Sequence, residues 1–224
     1  MSVPACIARL TVTSVSCNSR YMRRDDARRR DDLLEAAAAY LLRHGVAGMS
    51  LRPMAAAIGT SARLLIYHFV TKERLLVEAM GVIRVRARAG VEAMIRDAPV
   101  DGDLGELVRD FWRWCTSPRN RPYLRLLFEV HGLALQYPKS YGGYLEGSVK
   151  HWIELLSGAL RPRLGREAEA VATLIIGTID GLLMDYLSTG DLKRTTRAIE
   201  SLASGHSALT RTRTRRHSKR RTTR

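Results

Sequence analysis

Between residues 50 and 73 the chain reads Ser50-Leu-Arg-Pro-Met-Ala-Ala-Ala-Ile-Gly59-Thr-Ser-Ala-Arg-Leu-Leu-Ile-Tyr-His-Phe69-Val-Thr-Lys72-Glu. The polar members of this run suit recognition rather than bond making. Arg63 carries a planar fork of donors that matches the O6 and N7 acceptors of guanine. Lys72 stands where a helix would begin, and a helix N-terminus and an ammonium both favour phosphate. Elsewhere the chain has no HExxH, no GxSxG, no phosphate-cradling Gly loop and no dinucleotide fingerprint. Its six histidines are scattered, and Cys6, Cys17 and Cys115 lie far apart with no CxxC. An enzyme, a metal site and a bound cofactor are therefore not expected.

Helices must position these groups. Asp25 to His44 has Leu33, Leu34, Ala37, Tyr40 and Leu41 at steps of three and four, and Gly45 supplies a stop. A short helix follows from Leu51 to Ile58, with Ser50 as N-cap and Pro53 in its first turn. Gly59 ends it. Ser61 caps a third helix, Ala62 to Phe69, and Thr71 caps a fourth from Lys72 to about Asp97. Two short helices joined by a three-residue turn are helix-turn-helix grammar. Leu51, Ala55 and Ile58 pack one helix, Leu65 and Phe69 anchor the next, and Ala62, Arg63, Ile66 and Tyr67 face outward. That outer face is free to enter a major groove, with Arg63 as its sole charged side chain.

The run from Gly59 to Glu73 resembles the signature of TetR/AcrR-type transcriptional regulators, in which a Leu-Tyr-Tyr-His-Phe-like string precedes a Ser/Thr-Lys-Glu helix start. Leu33 to Ala37, Gly45 and Ser50 to Ala55 match that family's first two helices at the right spacings. The resemblance is specific over residues 29–78. It implies phosphate contacts for Ser50, Ser61, Tyr67 and His68, while Arg52 is placed to reach a phosphate or an adjacent base. Ile66 departs from the usual tyrosine, which trades a phosphate hydroxyl for a thymine-methyl contact. The plainer readings are a packed histidine at 68, a core-covering Tyr67 and a surface Lys72.

Beyond residue 80, Pro99, Pro118, Pro122, Pro138 and Pro162 mark breaks. Helices are expected over about 103–116, 122–136, 141–160, 166–188 and 191–203, with no strand-like alternation. The fold class is all-α: a leader over 1–22 with Met22 as an alternative start, a helix-turn-helix module over 23–80, a larger helical ligand-binding and dimerisation module over 81–204, and a basic tail over 205–224. Aromatic residues cluster in the larger module. Trp112, Phe128, His131, Trp152 and Met184 are candidate pocket residues for an unidentified small-molecule effector. The apolar face Ala168, Ala172, Ile175, Ile179 and Leu183, with Gly177 and Gly181, is the candidate homodimer interface, because the family's last two helices form one.

The 224 residues carry 37 Lys and Arg against 22 acids, a net charge of +15. Eight of the bases, from Arg211 to Arg224, lie in the tail; without them 29 face 22, or +7. Basicity alone thus does not identify a DNA-binding protein, and a sequence-nonspecific binder acting through the tail is the alternative. The most apolar run, Val171 to Leu187, contains Asp180 and Asp185 and is short for a membrane span. The expectation is a cytoplasmic, dimeric, ligand-responsive regulator, most often a repressor in this family, whose partner is double-stranded DNA with a palindromic site.

Overall fold

The structure is a computed structural model and describes residues 13–97 and 103–205. Among the described residues every regular element is helical. The order is α1 (Thr13–His44), α2 (Leu51–Ala57), α3 (Ala62–Phe69), α4 (Lys72–Asp97), α5 (Leu104–Thr116), α6 (Arg121–Gln136), α7 (Pro138–Leu164), a single 3-10 turn (Gly165–Glu167) and α8 (Ala168–Thr189). A last helix, α9, covers 192–205.

Two boundaries correct the sequence reading. α1 begins at Thr13, so the expected leader is helical from residue 13 onward. No Gly or Pro occurs between Thr13 and His44, and once a helix is nucleated each further residue adds a hydrogen bond. Pro162 does not end α7, which continues to Leu164 and stops at Gly165, φ 56°. A proline in the last turn costs one hydrogen bond, and the residue four before it is Gly158. Pro138, by contrast, opens α7 as its first residue, so only Tyr137 separates α6 from α7. Residues 1–12 and the basic tail from 206 onward lie outside the described residues.

The core begins in the first module with Leu33, Ala37 and Leu41 of α1, Met54 and Ala55 of α2, Leu65 and Phe69 of α3, and Leu75, Leu76 and Ala79 of α4. It continues through Val108, Trp112, Leu127, Leu160 and Ile175 of the later helices as one cluster. Ion pairs join α1 to α4 at two levels, Arg30 with Glu78 and Glu35 with Arg86. The Arg30 guanidinium also lies 4.9 Å above the Phe69 ring centre, so one side chain ties α1, the end of α3 and α4 together.

The region Glu146–Thr189 contains a stretch apolar enough, at mean hydropathy 1.5, to cross a membrane by length and composition. In the fold that region is divided by the Gly165–Glu167 turn, and α8 packs back along α7. Ala168, Ala172, Ile175, Ile179 and Leu183 are buried in that packing, which is what a core helix needs its apolar stripe for.

Candidate nucleic-acid interface

α3 has only eight residues and is too short to hold its shape in water unaided. Its neighbours hold it. The Ser61 hydroxyl accepts from Leu64 N at 3.1 Å, closing the N-terminus. Leu65 and Phe69 are buried completely, and such burial contributes about 1.5–3 kcal/mol per side chain. Gly59, φ 69°, makes the turn from α2 in the left-handed region that glycine adopts at little cost. The opposite face is open: Arg63 and Ile66 are exposed and Tyr67 is 68% exposed, with Ala62 half-buried beside them.

Around this face stand the remaining groups. Arg52 is exposed in the first turn of α2, and Lys72 is half-buried as the first residue of α4. Thr71 caps α4, its hydroxyl accepting from Arg74 N at 3.1 Å. Ser50 occupies the N-cap position of α2 with an extended backbone, but its hydroxyl makes no cap bond and is exposed. Between α3 and α4 the chain turns at Val70, φ 66° and ψ −51°, with Thr71 N donating to Phe69 O at 2.7 Å. This is a γ-turn of the rarer, strained hand, held on a β-branched residue that disfavours positive φ.

His68 does not join the surface. Its side chain is 3% exposed, and Nε2 lies 3.9 Å from Asp26 of α1. Its ring meets Tyr67 edge-on at 4.9 Å. The residue just before the buried Phe69 is drawn toward α1, and a phosphate outside the protein is out of its reach. Conversely, Arg28 and Arg29 of α1 are exposed and were not among the sequence candidates. Their signal was the Arg28-Arg-Arg30 run, masked by the neighbouring aspartates.

Residues 33–79 match the model of bacterial regulatory proteins of the tetR family. They span α2, α3, and parts of α1 and α4. The fold is similar to that of solved regulators. A TetR-family transcriptional regulator from Cytophaga hutchinsonii is 13% identical, with 81% of this chain and 96% of that one covered at TM-score 0.65. The multidrug binding protein EbrR, complexed with imidazole, is 25% identical, with 80% and 90% covered at TM-score 0.60. A transcriptional-regulator candidate from Saccharomonospora viridis, in complex with choline, is 19% identical, with 80% and 95% covered at TM-score 0.58. No curated protein sequence matches the chain. Residues 33–79 are thus similar to the helix-turn-helix module of tetR-family regulatory proteins, and the chain shares the fold of solved regulators of that kind.

The larger module contains a cavity of about 50 Å³ between α5, α6, α7 and α8. Of the sequence candidates, His131 and Trp152 line it. Trp112 does not: it is buried elsewhere, with Nε1 donating to Thr196 Oγ1 at 3.0 Å. Phe128 is packed against the core away from the cavity wall, and Met184 is 55% exposed. In their place stand Phe111, Trp114, Tyr123 and Asp180. Burial pushes the Asp180 carboxyl up to about 6, holds His131 toward its neutral form, and raises the Tyr123 and Cys115 hydroxyl and thiol.

The interface candidates also divide. Ala168, Ala172, Ile175, Ile179 and Leu183 are used up inside the chain. Helical periodicity marks an apolar stripe but does not say which neighbour covers it. Gly177 and Gly181 are exposed, and they share the outer face of α8 with Leu174 and Met184, 54% and 55% exposed.

Three contacts tie the larger module's helices to α4 and to the end of α1. Trp114 abuts α4 so closely that a Cβ on Gly90 would lie 2.9 Å from its Nε1. Glu129 of α6 accepts from Val46 N at 2.6 Å, at the turn that follows α1. Arg125 of α6 lies 3.6 Å from Glu129 and donates to Arg43 O at 3.4 Å. α4 is thus the continuous link between the modules, and α6 is a second one.

Proposed function

We propose that the chain binds a palindromic DNA site as a homodimer, represses transcription there, and releases the DNA when a small molecule occupies the α5–α8 cavity. The observation that carries this reading is the outward face of α3. Arg63, Ile66 and Tyr67 are exposed on a helix whose other side is buried in the module. Arg63 reads a guanine, Ile66 a thymine methyl, and Ser50, Arg52, Ser61, Tyr67 and Lys72 hold phosphates. The division between the modules falls within α4 near residue 80, and the second copy covers Leu174, Gly177, Gly181 and Met184 of α8.

Release follows from the two links. α3 is tied to α1 and α4 by Phe69 and Arg30 and moves only with them. A ligand that displaces Trp114 presses on α4 at Gly90, and one that shifts α6 pulls on the α1–α2 turn through Glu129. Two recognition helices reach successive major grooves only at about 34–36 Å spacing. A tilt of either helix that spoils this spacing removes the bivalent advantage, which reaches about 10²–10⁴-fold. The ligand must prefer the released form, since equal affinity shifts nothing. That EbrR is complexed with imidazole and the S. viridis protein with choline supports a small-molecule effector here.

Selection of bound DNA from a random pool tests the reading. A two-fold symmetric site is expected. Enrichment of no sequence, with binding that collapses under nonspecific competitor, would instead support charge-driven binding by the basic tail. Sedimentation of the ligand-bound protein tests the release step: the dimer should persist, and a shift to monomer at micromolar concentration would mean that the ligand breaks the interface.

A further inference from the structure

The cavity wall is chemically one-sided. Trp152, Phe111, Trp114 and Tyr123 form a chain of rings with successive centre-to-centre distances of 6.5, 6.3 and 6.5 Å. Asp180 is the only charged residue in the lining, and no Lys or Arg faces it there. Among the described residues it has no hydrogen bond and no ion pair. Beside this half-buried carboxylate, two buried polar atoms also point to an absent partner. Tyr123 Oη has only the Trp152 indole beside it and no acceptor for its own proton, and His131 Nε2 has no partner. A lone carboxylate among aromatic faces is costly unless something positive joins it.

We propose that this cavity, which at about 50 Å³ must widen to admit a ligand, takes a compact organic cation, a tertiary or quaternary ammonium, held between the Asp180 carboxylate and the faces of Trp114, Phe111 and Trp152. The inference rests on reading the cavity as the effector site. A diffuse methylated ammonium is drawn to aromatic faces by their quadrupoles and to Asp180 by charge, and it has little hydration to lose. An anion would meet the Asp180 charge with no compensating base. A neutral apolar ligand would cover that half-buried charge and leave it unpaired. A metal ion would find one carboxylate, and no group of three metal-ligating side chains occurs among the described residues. An open cleft of about 770 Å³ between α1, α4 and the α5–α6 turn lies on the other side of Trp114 and Tyr123, which line both. The cleft carries Arg43, Arg86 and Arg119, so the negative charge of this region is on the cavity side.

The experiment titrates the full chain with tetramethylammonium and with neutral, near-isosteric tert-butanol, following tryptophan fluorescence and calorimetry. Saturable binding of the ammonium is expected, with at least ten-fold weaker binding of the alcohol. Asp180→Asn should weaken the ammonium at least ten-fold while circular dichroism stays unchanged. Trp152→Leu should weaken it too, separating the ring contribution from the charge. Equal affinity for the two probes, an unchanged dissociation constant in Asp180→Asn, or no saturable ammonium binding would overturn the inference. A mobility shift with the selected DNA site keeps it apart from the reading on which it rests. Ammonium binding that leaves DNA binding untouched sinks the effector role but not the cation site. Normal DNA binding with no ammonium binding sinks the cation site alone.

Discussion

The two modules treat their polar groups in opposite ways. Around α3, almost every functional side chain is turned out to solvent, and the buried groups are hydrocarbon with one packed histidine. Around the cavity, Asp180, Tyr123 and His131 are turned in, and the face left outside on α8 is hydrocarbon and glycine. The first arrangement costs little before DNA arrives, because water satisfies Arg63 and Lys72. The second carries a standing cost until a ligand arrives, because burial is what raises the Asp180 carboxyl. The exposed groups of α3 are therefore cheap to keep, while the carboxyl in the cavity wall is held at a cost that burial sets.

The contrast can be broken most forcefully at Phe69, where Arg30, α1 and α4 meet the end of the recognition helix. Phe69→Ala should destabilise the chain by about 3–5 kcal/mol, measured by urea unfolding. A loss under 1 kcal/mol would mean that α3 is not held by this contact.

Next in size is Asp180→Asn without ligand. The folded carboxyl lies near 6, above its usual 3.8, so the folded state binds the proton more tightly. Its stabilising share is full below the unfolded value and is lost as pH rises through about 6. Two units correspond to about 3 kcal/mol at most. Asp180→Asn should thus be more stable than the native chain at pH 7.5 and lose that advantage near pH 4. Cys115, Tyr123 and His131 face the same cavity; burial keeps the thiol and hydroxyl protonated and lowers His131 from its usual 6.5, so the difference between Asp180→Asn and the native chain is what isolates the Asp180 titration. A stability difference independent of pH would contradict this assignment.

On the DNA side, Arg63→Ala should weaken specific binding by about 1–3 kcal/mol and relax preference at one base pair per half-site. Thermal stability should hardly change, since the side chain is exposed. Equal weakening for all sequences would make Arg63 a phosphate contact.

The smallest effect sharpens the comparison by asking whether the outward module stores any strain at all. Val70 sits at φ 66° and is exposed. Val70→Gly should raise stability by about 1 kcal/mol, since positive φ on a β-branched residue costs about 1–3 kcal/mol and the gain is offset by unfolded-chain entropy. A fall in melting temperature would show that the turn is not strained.

By itself the sequence determined everything carried by local period and by caps. The bounds of α3 and α4, the Ser61 and Thr71 caps, the Gly59 turn and the outward Arg63–Ile66–Tyr67 face follow from neighbours within four residues along the chain. These are interactions that one-dimensional spacing encodes. The tertiary structure decided what depends on which helix packs where. It turned His68 inward toward Asp26, spent the Ala168–Leu183 stripe on α7, exposed Met184, and exchanged Trp112 and Phe128 for Phe111 and Trp114 at the cavity. It also joined Glu129 to a backbone amide 83 residues away. An amphipathic helix announces that it has an apolar face, but the partner of that face, and so the inside of a cavity formed by four helices, is set by contacts that no local pattern records.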